Sequence, residues 1–220
     1  LGTDAVSVET NEKLQQSLVL VHGGMAQNVG PILEMVTERY LLRSEKEWLA
    51  REHAIGILDQ ILMAIRDGDI KELGRLTTEN FEAPLQTIIP WATNRFTDQI
   101  IQQCRDTFLD NFWGFWMLGG MSGGGMGFLF DPSVKEDAKR WLSKTLIETK
   151  RELSESLPFA MDPVIYDFKI NDRGTHAQLL VDQPDAMSDR YYALRLPSLL
   201  RQPLRDLPRD QQVELSSIGQ

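Results

Sequence analysis

The sequence predicts an α+β fold in which helices are packed on one face of a mostly antiparallel sheet. Three observations lead to this class. Strand-like segments occur before residue 24 and again after residue 110, helical periodicity fills the region between them, and no strand signal interrupts those helices. A doubly wound parallel sheet needs strands that alternate with helices, so the order of the elements argues against that class.

Two strands and a helix are predicted first. The stretches AVSVET and SLVLVHGG are rich in β-branched and apolar residues, which is typical of strands, and Gly23 and Gly24 close the second stretch. After Gly24 the apolar residues recur at helical spacing. Pro31 is tolerated there because it falls in the first turn of the predicted helix.

Three further helices follow, each with a signal for its beginning or its end. Apolar residues repeat at helical spacing over residues 54–65, and the stretch RDGD ends that helix. Asp69 is positioned to cap the next helix, and Thr93 or Asn94 to cap the one after it. The last helix turns one apolar stripe inward, formed by Phe96, Ile100, Cys104 and Phe108.

The C-terminal half is predicted to contain a strand pair, a long helix and a hairpin. NFWGFWML and GFLF flank a glycine-rich loop and predict the strand pair, and Ser133 and Glu136 have capping-box spacing at the start of the helix. VIYDFKI and THAQLLV alternate with period two around the turn NDRG, which predicts the hairpin. We therefore expect one domain over residues 1–181 and an irregular tail or linker over residues 182–220, where prolines interrupt every pattern.

Composition argues against several functional classes. A net charge of −9 gives no basic footprint for nucleic acid, and no apolar run reaches the length of a membrane span, so we expect neither partner. The one cysteine, Cys104, excludes a disulfide or a cysteine-built zinc site within the chain. Low cysteine use fits a reducing compartment, so we expect a cytoplasmic protein. The sequence identifies no metal ligand and no catalytic side chain.

The stretch most indicative of function is WMLGGMSGGGMGFLF, residues 116–130. Repeated glycine between two strands means that the backbone adopts positive φ or lies very close to another group, although tight packing alone is an alternative. Its GMSGG also fits the G-x-S-x-G motif of serine hydrolases, with His176 downstream as the base. That motif requires a helix directly after the serine, whereas strand-like residues follow here. A hydrolase that uses Ser122 is therefore the less favoured interpretation.

Three stretches resemble the C-terminal half of GHMP-type small-molecule kinases, which include galactokinase and the homoserine, mevalonate and phosphomevalonate kinases. LVLVHGGMAQNVGPILEMVTERYLL is similar to the family's strand, turn and helix, ILMAIRDGDIKELGRLTTENF to its next helix pair, and MLGGMSGGGMGFLF to its third, glycine-rich motif. The resemblance covers about residues 5–181 and is greatest to the L-fucokinase and heptose-phosphate kinase branch. His22 replaces a threonine of the family, and the family's serine-rich second motif is absent.

The resemblance implies transfer of the γ-phosphoryl group of ATP, with Mg²⁺, to a sugar hydroxyl, at C1 in the fucokinase case. It also implies an active site shared with a missing N-terminal domain, so that this chain alone is inactive, and in some members a fused nucleotidyltransferase. The nucleotide- or substrate-binding residues it implies are Gly119, Gly120, Ser122, Gly123, Gly124, Gly125, His22, Gly23 and Gly24. The alternative is a non-catalytic ligand-binding or interaction module on a ferredoxin-like sheet.

Overall fold

The structure is a computed structural model that describes residues 5–25, 29–118, 125–157, 159–171, 174–175 and 187–216. Contacts between residues divide the chain into two compact units, Leu1–Gly174 and Thr175–Gln220. In the described part of the chain, no helix combines the length and the apolarity that crossing a bilayer requires.

The first unit is built on an antiparallel sheet. Among the described residues its strands are β1 (Leu18–His22), β2 (Phe112–Met117), β3 (Gly125–Phe130) and β4 (Val164–Tyr166). They lie in the order β2-β3-β1-β4, and every neighbouring pair is antiparallel. A hairpin of β2 and β3 beside a central β1 is the strand order of a ferredoxin-like sheet. The predicted α+β class with an antiparallel sheet is confirmed.

The first helix precedes β1, and the other helices of the first unit lie in the connections between the strands. They are α1 (Val8–Ser17), α2 (Gly30–Leu41), α3 (Glu45–Asp67), α4 (Ile70–Asn80), α5 (Gln86–Ile88), α6 (Arg95–Phe108) and α7 (Lys135–Glu152). A π-helical turn, Phe81–Leu85, joins α4 to α5, and short 3-10 turns lie at Leu109–Asn111 and Pro132–Val134.

The strand predicted over AVSVET is wrong, because this segment forms the start of α1. Ser7 caps the helix, since its Oγ accepts a hydrogen bond from the backbone N–H of Thr10 at 3.0 Å. Val8 is 72% exposed, so its β-branched side chain contributes no buried strand contact. A local capping bond therefore outweighs the weak strand preference of two valines.

Two later helices begin where the sequence predicts. Asp69 caps α4, and Asn94 caps α6 in a reciprocal capping box with Thr97. The helical segment that leads into α7 is the exception, because Asp131 and not Ser133 supplies its cap. Asp131 Oδ1 accepts the backbone N–H of Ser133 at 2.9 Å, so the cap lies two residues before the predicted one.

The helices pack on both faces of the sheet, whereas the sequence predicts one face. The first face packs on α6 and α7 and presents Val19, Val21, Met126, Phe128 and Phe130. The opposite face packs on α3 and α4 and presents Leu18 and Leu129. Successive residues of a strand point to opposite faces, and β1 and the second half of β3 are apolar at almost every position. Both faces of the sheet are therefore covered.

Helix α4 packs backbone to backbone against the edge strand β2. Gly114 has a φ of 148°, and a Cβ there would lie 2.0 Å from the carbonyl oxygen of Gly74. Thr78 Oγ1 accepts the N–H of Phe115 at 3.0 Å and donates to the Gly74 carbonyl at 2.9 Å. The helix therefore satisfies a donor that the edge of the sheet would otherwise leave unpaired.

The second unit contains short helices where the sequence predicts an irregular tail. A π-helical segment, Tyr191–Arg195, continues into α8 (Leu196–Leu199), and α9 (Arg209–Ser216) follows. The carboxylate of Glu214 accepts hydrogen bonds from Arg195 and from the Tyr191 hydroxyl, which joins these segments. Pro197 lies at the start of α8 and Pro208 directly precedes α9, positions at which proline is compatible with a helix.

Candidate functional site

The candidate site is the end of the sheet at which β1 and β2 finish and β3 and β4 begin. His22, the last residue of β1, pairs with Gly125, the first residue of β3, and on its other side with Val164 of β4. The N–H of Leu118 donates to the carbonyl of Gly125 at 2.7 Å and closes the base of the β2–β3 hairpin. We call His22, Gly23, Gly24, Leu118 and Gly125 the glycine-rich sheet end.

The structure brings two separately predicted segments together at this point. The turn formed by His22, Gly23 and Gly24 leaves β1 directly beside Gly125, where β3 begins after the glycine-rich loop. The other predicted site residues, Gly119, Gly120, Ser122, Gly123 and Gly124, lie outside the described residues.

Hydrogen bonds and close contacts hold the turn after β1 in one conformation. His22 Nδ1 accepts the backbone N–H of Gly24 at 3.0 Å, and the Gly24 carbonyl accepts the N–H of Met161 at 2.7 Å. Gly24 has a φ of 79°, and a Cβ there would lie 2.1 Å from the carbonyl oxygen of Met161. Only glycine provides both the left-handed conformation and the close approach.

Helix α6 begins and helix α7 ends near this part of the sheet, which the sequence does not indicate. Asn94, the cap of α6, donates from Nδ2 to the sulfur of Met25 at 3.6 Å, just after the glycine turn. Lys150, in the last turn of α7, donates to Asp162 at 2.8 Å, just before β4. The hydrogen bond from Lys150, together with its charge, holds the pKa of the Asp162 carboxyl below its usual value.

The glycine-rich sheet end has few side chains with which to bind a ligand. A metal ion does not fit its described residues, since Asp162 is the nearby carboxylate and it is already paired with Lys150. Across all the residues that the structure describes, no group of three or more histidine, cysteine, aspartate or glutamate side chains is placed to hold a metal ion. Gly23 and Gly24 are buried and Gly125 is partly exposed, so a phosphate or hydroxyl oxygen depends on main-chain N–H groups that are not already bonded within the protein.

The nucleophile elbow of a serine hydrolase does not match this geometry. The residues after the G-x-S-x-G stretch form β3, which pairs with both β1 and β2. An elbow exposes its serine because a helix begins directly after it. Ser122 and His176 themselves lie outside the described residues.

A concavity of about 490 Å³ lies elsewhere in the first unit, between α4, α6 and the start of β2. Its charged side chains are paired with one another or with a neighbour on the same helix, because Arg75 contacts Glu72 and Glu79 and Arg105 contacts Glu82. Because these charges already form ion pairs with one another, they contribute little to the binding of an ionic ligand. The glycine-rich sheet end is therefore the stronger candidate.

The sequence matches no protein-family profile and no curated protein. Among solved structures, the chain is similar to the mevalonate kinase of L. major in complex with R-mevalonate, with 21% identity and a TM-score of 0.47. The match covers 68% of this chain and 41% of that kinase, so this chain spans less than half of its length.

Proposed function

We propose that this chain is the C-terminal half of an ATP-dependent small-molecule kinase, and that the glycine-rich sheet end forms part of its nucleotide and substrate site. The pairing of His22 with Gly125 carries the proposal. It places side by side the two segments whose sequences resemble substrate- and nucleotide-binding segments of GHMP-type kinases. The ferredoxin-like strand order supports the same assignment.

The contribution of this chain to phosphoryl transfer is positioning. ATP and Mg²⁺ supply the phosphoryl group and much of the charge stabilisation when they are bound. The turn at Gly24 fixes the end of β1, since its N–H and its carbonyl are bonded to His22 and Met161. We propose that the glycine-rich loop before Gly125 supplies main-chain N–H groups to ligand oxygens, with the Ser122 hydroxyl as an additional donor. We place the metal ligands and the catalytic base in an N-terminal domain, since the described residues of the sheet end provide neither.

The acceptor that we propose is a sugar, L-fucose or a related sugar phosphorylated at C1. The support is the resemblance of three stretches to the L-fucokinase and heptose-phosphate kinase branch. We also propose a cytoplasmic location, which fits the use of ATP and a single, fully buried cysteine, Cys104.

The test is an assay of ADP formation by the full-length protein that contains this chain, with a panel of sugars as acceptors. We expect ADP to form only when a sugar is present, and ³¹P NMR to identify a sugar 1-phosphate. A matched sample of residues 1–220 is expected to form none. A folded full-length protein that shows no sugar-dependent turnover of ATP would contradict the proposal.

The second candidate is a non-catalytic ligand-binding or interaction module, and helix α2 favours it. None of the residues of α2 is buried. Its Leu33 and Leu41 and the following Leu42 are 58%, 73% and 72% exposed. An exposed apolar face of this kind is typical of a surface that contacts a partner. A full-length protein that binds a sugar or a protein partner but never turns over ATP would select this alternative.

A further inference from the structure

We infer that His22 donates a hydrogen bond from Nε2 to an oxygen of the ligand at the glycine-rich sheet end, and that it is neither a general base nor a metal ligand. This inference rests on the proposed function and specifies how the site recognises its ligand. It follows from the hydrogen bond that His22 makes within its own turn.

The bond between His22 and Gly24 fixes the tautomer of the imidazole. A backbone N–H can only donate, so Nδ1 of His22 must accept the bond from Gly24, which is 3.0 Å long. Nδ1 therefore carries no hydrogen, and in the neutral ring the hydrogen lies on Nε2. The other neutral tautomer would direct two hydrogens at each other and would lose the bond.

The surrounding backbone keeps the imidazole in this orientation. His22 lies in a central strand and is paired with Gly125 on one side and Val164 on the other. Gly24, which donates to the ring, is itself fixed by the hydrogen bond from Met161. A rotation of the ring would therefore break its bond to Gly24 without any compensating movement of the turn.

The described residues that border His22 on its face of the sheet leave its Nε2 without a hydrogen-bond partner. Directly opposite residues of an antiparallel pair lie on the same face, and the residue opposite His22 is Gly125, which has no side chain. At the next pair on this face, the position opposite Leu20 is Gly127, and the ring of Trp116 covers it. Leu118 packs at 3.2 Å from the position of a Cβ on Gly125, so Leu118 and Trp116 border the half-buried imidazole. No described residue accepts a hydrogen bond from its Nε2.

The chemistry of this ring restricts its role. A general base or a metal ligand needs a free lone pair, but the Nδ1 lone pair is used by Gly24 and Nε2 carries hydrogen. What remains is one N–H donor beside main-chain groups. That donor fits an acceptor oxygen, either a sugar hydroxyl or a phosphate oxygen, and the kinetic test separates these two sources.

Two substitutions separate the two nitrogens of the ring. In His22→Asn, the amide oxygen lies close to the position of Nδ1 and can still accept the Gly24 N–H, but nothing replaces Nε2. In His22→Gln, the amide nitrogen reaches the position of Nε2 and keeps the donor, while the bond to Gly24 is lost. Loss of one donor to a ligand oxygen corresponds to a weakening of about 3- to 100-fold, with the upper part of that range for a charged phosphate.

The experiment measures KM for ATP and for the sugar in full-length wild type and in both variants, with thermal unfolding as the control for folding. We expect His22→Asn to unfold like wild type and to raise one of the two KM values by about tenfold, and His22→Gln to raise that value less. A rise for ATP indicates a phosphate oxygen, and a rise for the sugar indicates a hydroxyl. Unchanged KM values in an active His22→Asn protein overturn the inference and leave the proposed function standing.

The tautomer is measured independently by NMR on full-length protein labelled with ¹⁵N in the histidine rings. The signals that disappear in His22→Asn belong to His22, and for the neutral ring they are expected to show hydrogen on Nε2. Hydrogen on Nδ1 would overturn the inference whatever the kinetics show. A protein with no sugar-dependent turnover would remove the proposed function and this inference together.

Discussion

Replacing Thr78 by valine is expected to destabilise the first unit through a single hydrogen-bond donor. Thr78 Oγ1 accepts the N–H of Phe115 at 3.0 Å, and Phe115 is only 1% exposed. Valine keeps the shape of threonine but leaves that N–H without a partner at the edge of β2. An unsatisfied buried donor costs about 1–3 kcal/mol.

Loss of the hydrogen bond from the Thr78 hydroxyl to the Gly74 carbonyl does not add to this cost. Gly74 O also accepts the hydroxyl of Thr77 at 3.0 Å, so it stays paired in the variant. Thr77→Val is therefore the matched control. It removes a hydroxyl that donates to the same carbonyl and leaves the bond to Phe115 in place, and we expect it to change the free energy of unfolding by less than about 0.5 kcal/mol.

The assay is urea unfolding of both variants beside wild type, together with hydrogen exchange at the amide of Phe115. We expect a loss of about 1–3 kcal/mol for Thr78→Val, faster exchange at Phe115, and neither change for Thr77→Val. Equal losses for the two variants would show that the shared carbonyl, and not the strand donor, determines the stability. The covering of the sheet edge by α4 would then be refuted.

The remaining predictions concern glycines and one ion pair. In thermal unfolding, Gly114→Ala is expected to lower the free energy of unfolding by more than about 3 kcal/mol, because the φ of 148° and the 2.0 Å approach to Gly74 both exclude a side chain. Gly56→Ala is expected to raise it by about 0.5–1 kcal/mol, because a Cβ there meets nothing within 4 Å. Gly124→Val is expected to lower kinase turnover of the full-length protein by at least about tenfold with an unchanged Tm, and Gly56→Ala serves as its active control; a fully active Gly124→Val protein would contradict the role given to the loop. Lys150 lowers the pKa of Asp162 in the folded protein, so the pair stabilises the fold above the unfolded pKa of about 3.9 and loses that contribution as the pH falls through the lower folded value. We expect the Tm of Asp162→Asn to fall less than that of wild type between about pH 5 and pH 2, and parallel curves would show that the pair contributes nothing.

Much of the local structure could be predicted because its signals act over a few residues. The caps at Asp69 and Asn94 each pair with a backbone N–H three residues later, and the predicted helices begin there. A short-range signal also explains why the strand predicted over AVSVET is wrong. Ser7 caps a helix by accepting the N–H of Thr10, and this bond outweighs the strand preference of the valines.

The two-sided covering of the sheet depends on contacts between distant segments. A strand with one exposed face alternates apolar and polar residues, and LVLV and GFLF do not. That missing alternation was the available signal for a second layer of helices. It does not say which helices form the layer, because Ile57 and Leu73 reach Leu18 and Leu129 only through tertiary packing.

The two segments of the candidate site could be identified in the sequence, but their position side by side could not. The glycines after His22 and before Met126 are visible in the sequence, whereas their adjacency depends on the register of β1 against β3. The contacts of Lys150 with Asp162 and of Asn94 with Met25 have no sequence pattern, since each joins the end of one element to another.

The central claim is tested most directly by hydrogen exchange of the full-length protein with and without Mg²⁺ and the non-hydrolysable analogue AMP-PNP. The account predicts slower exchange in peptides that cover residues 18–25 and 117–126, and unchanged exchange around Arg75 and Arg105. Protection around Arg75 and Arg105, with none at the glycine-rich sheet end, would contradict it.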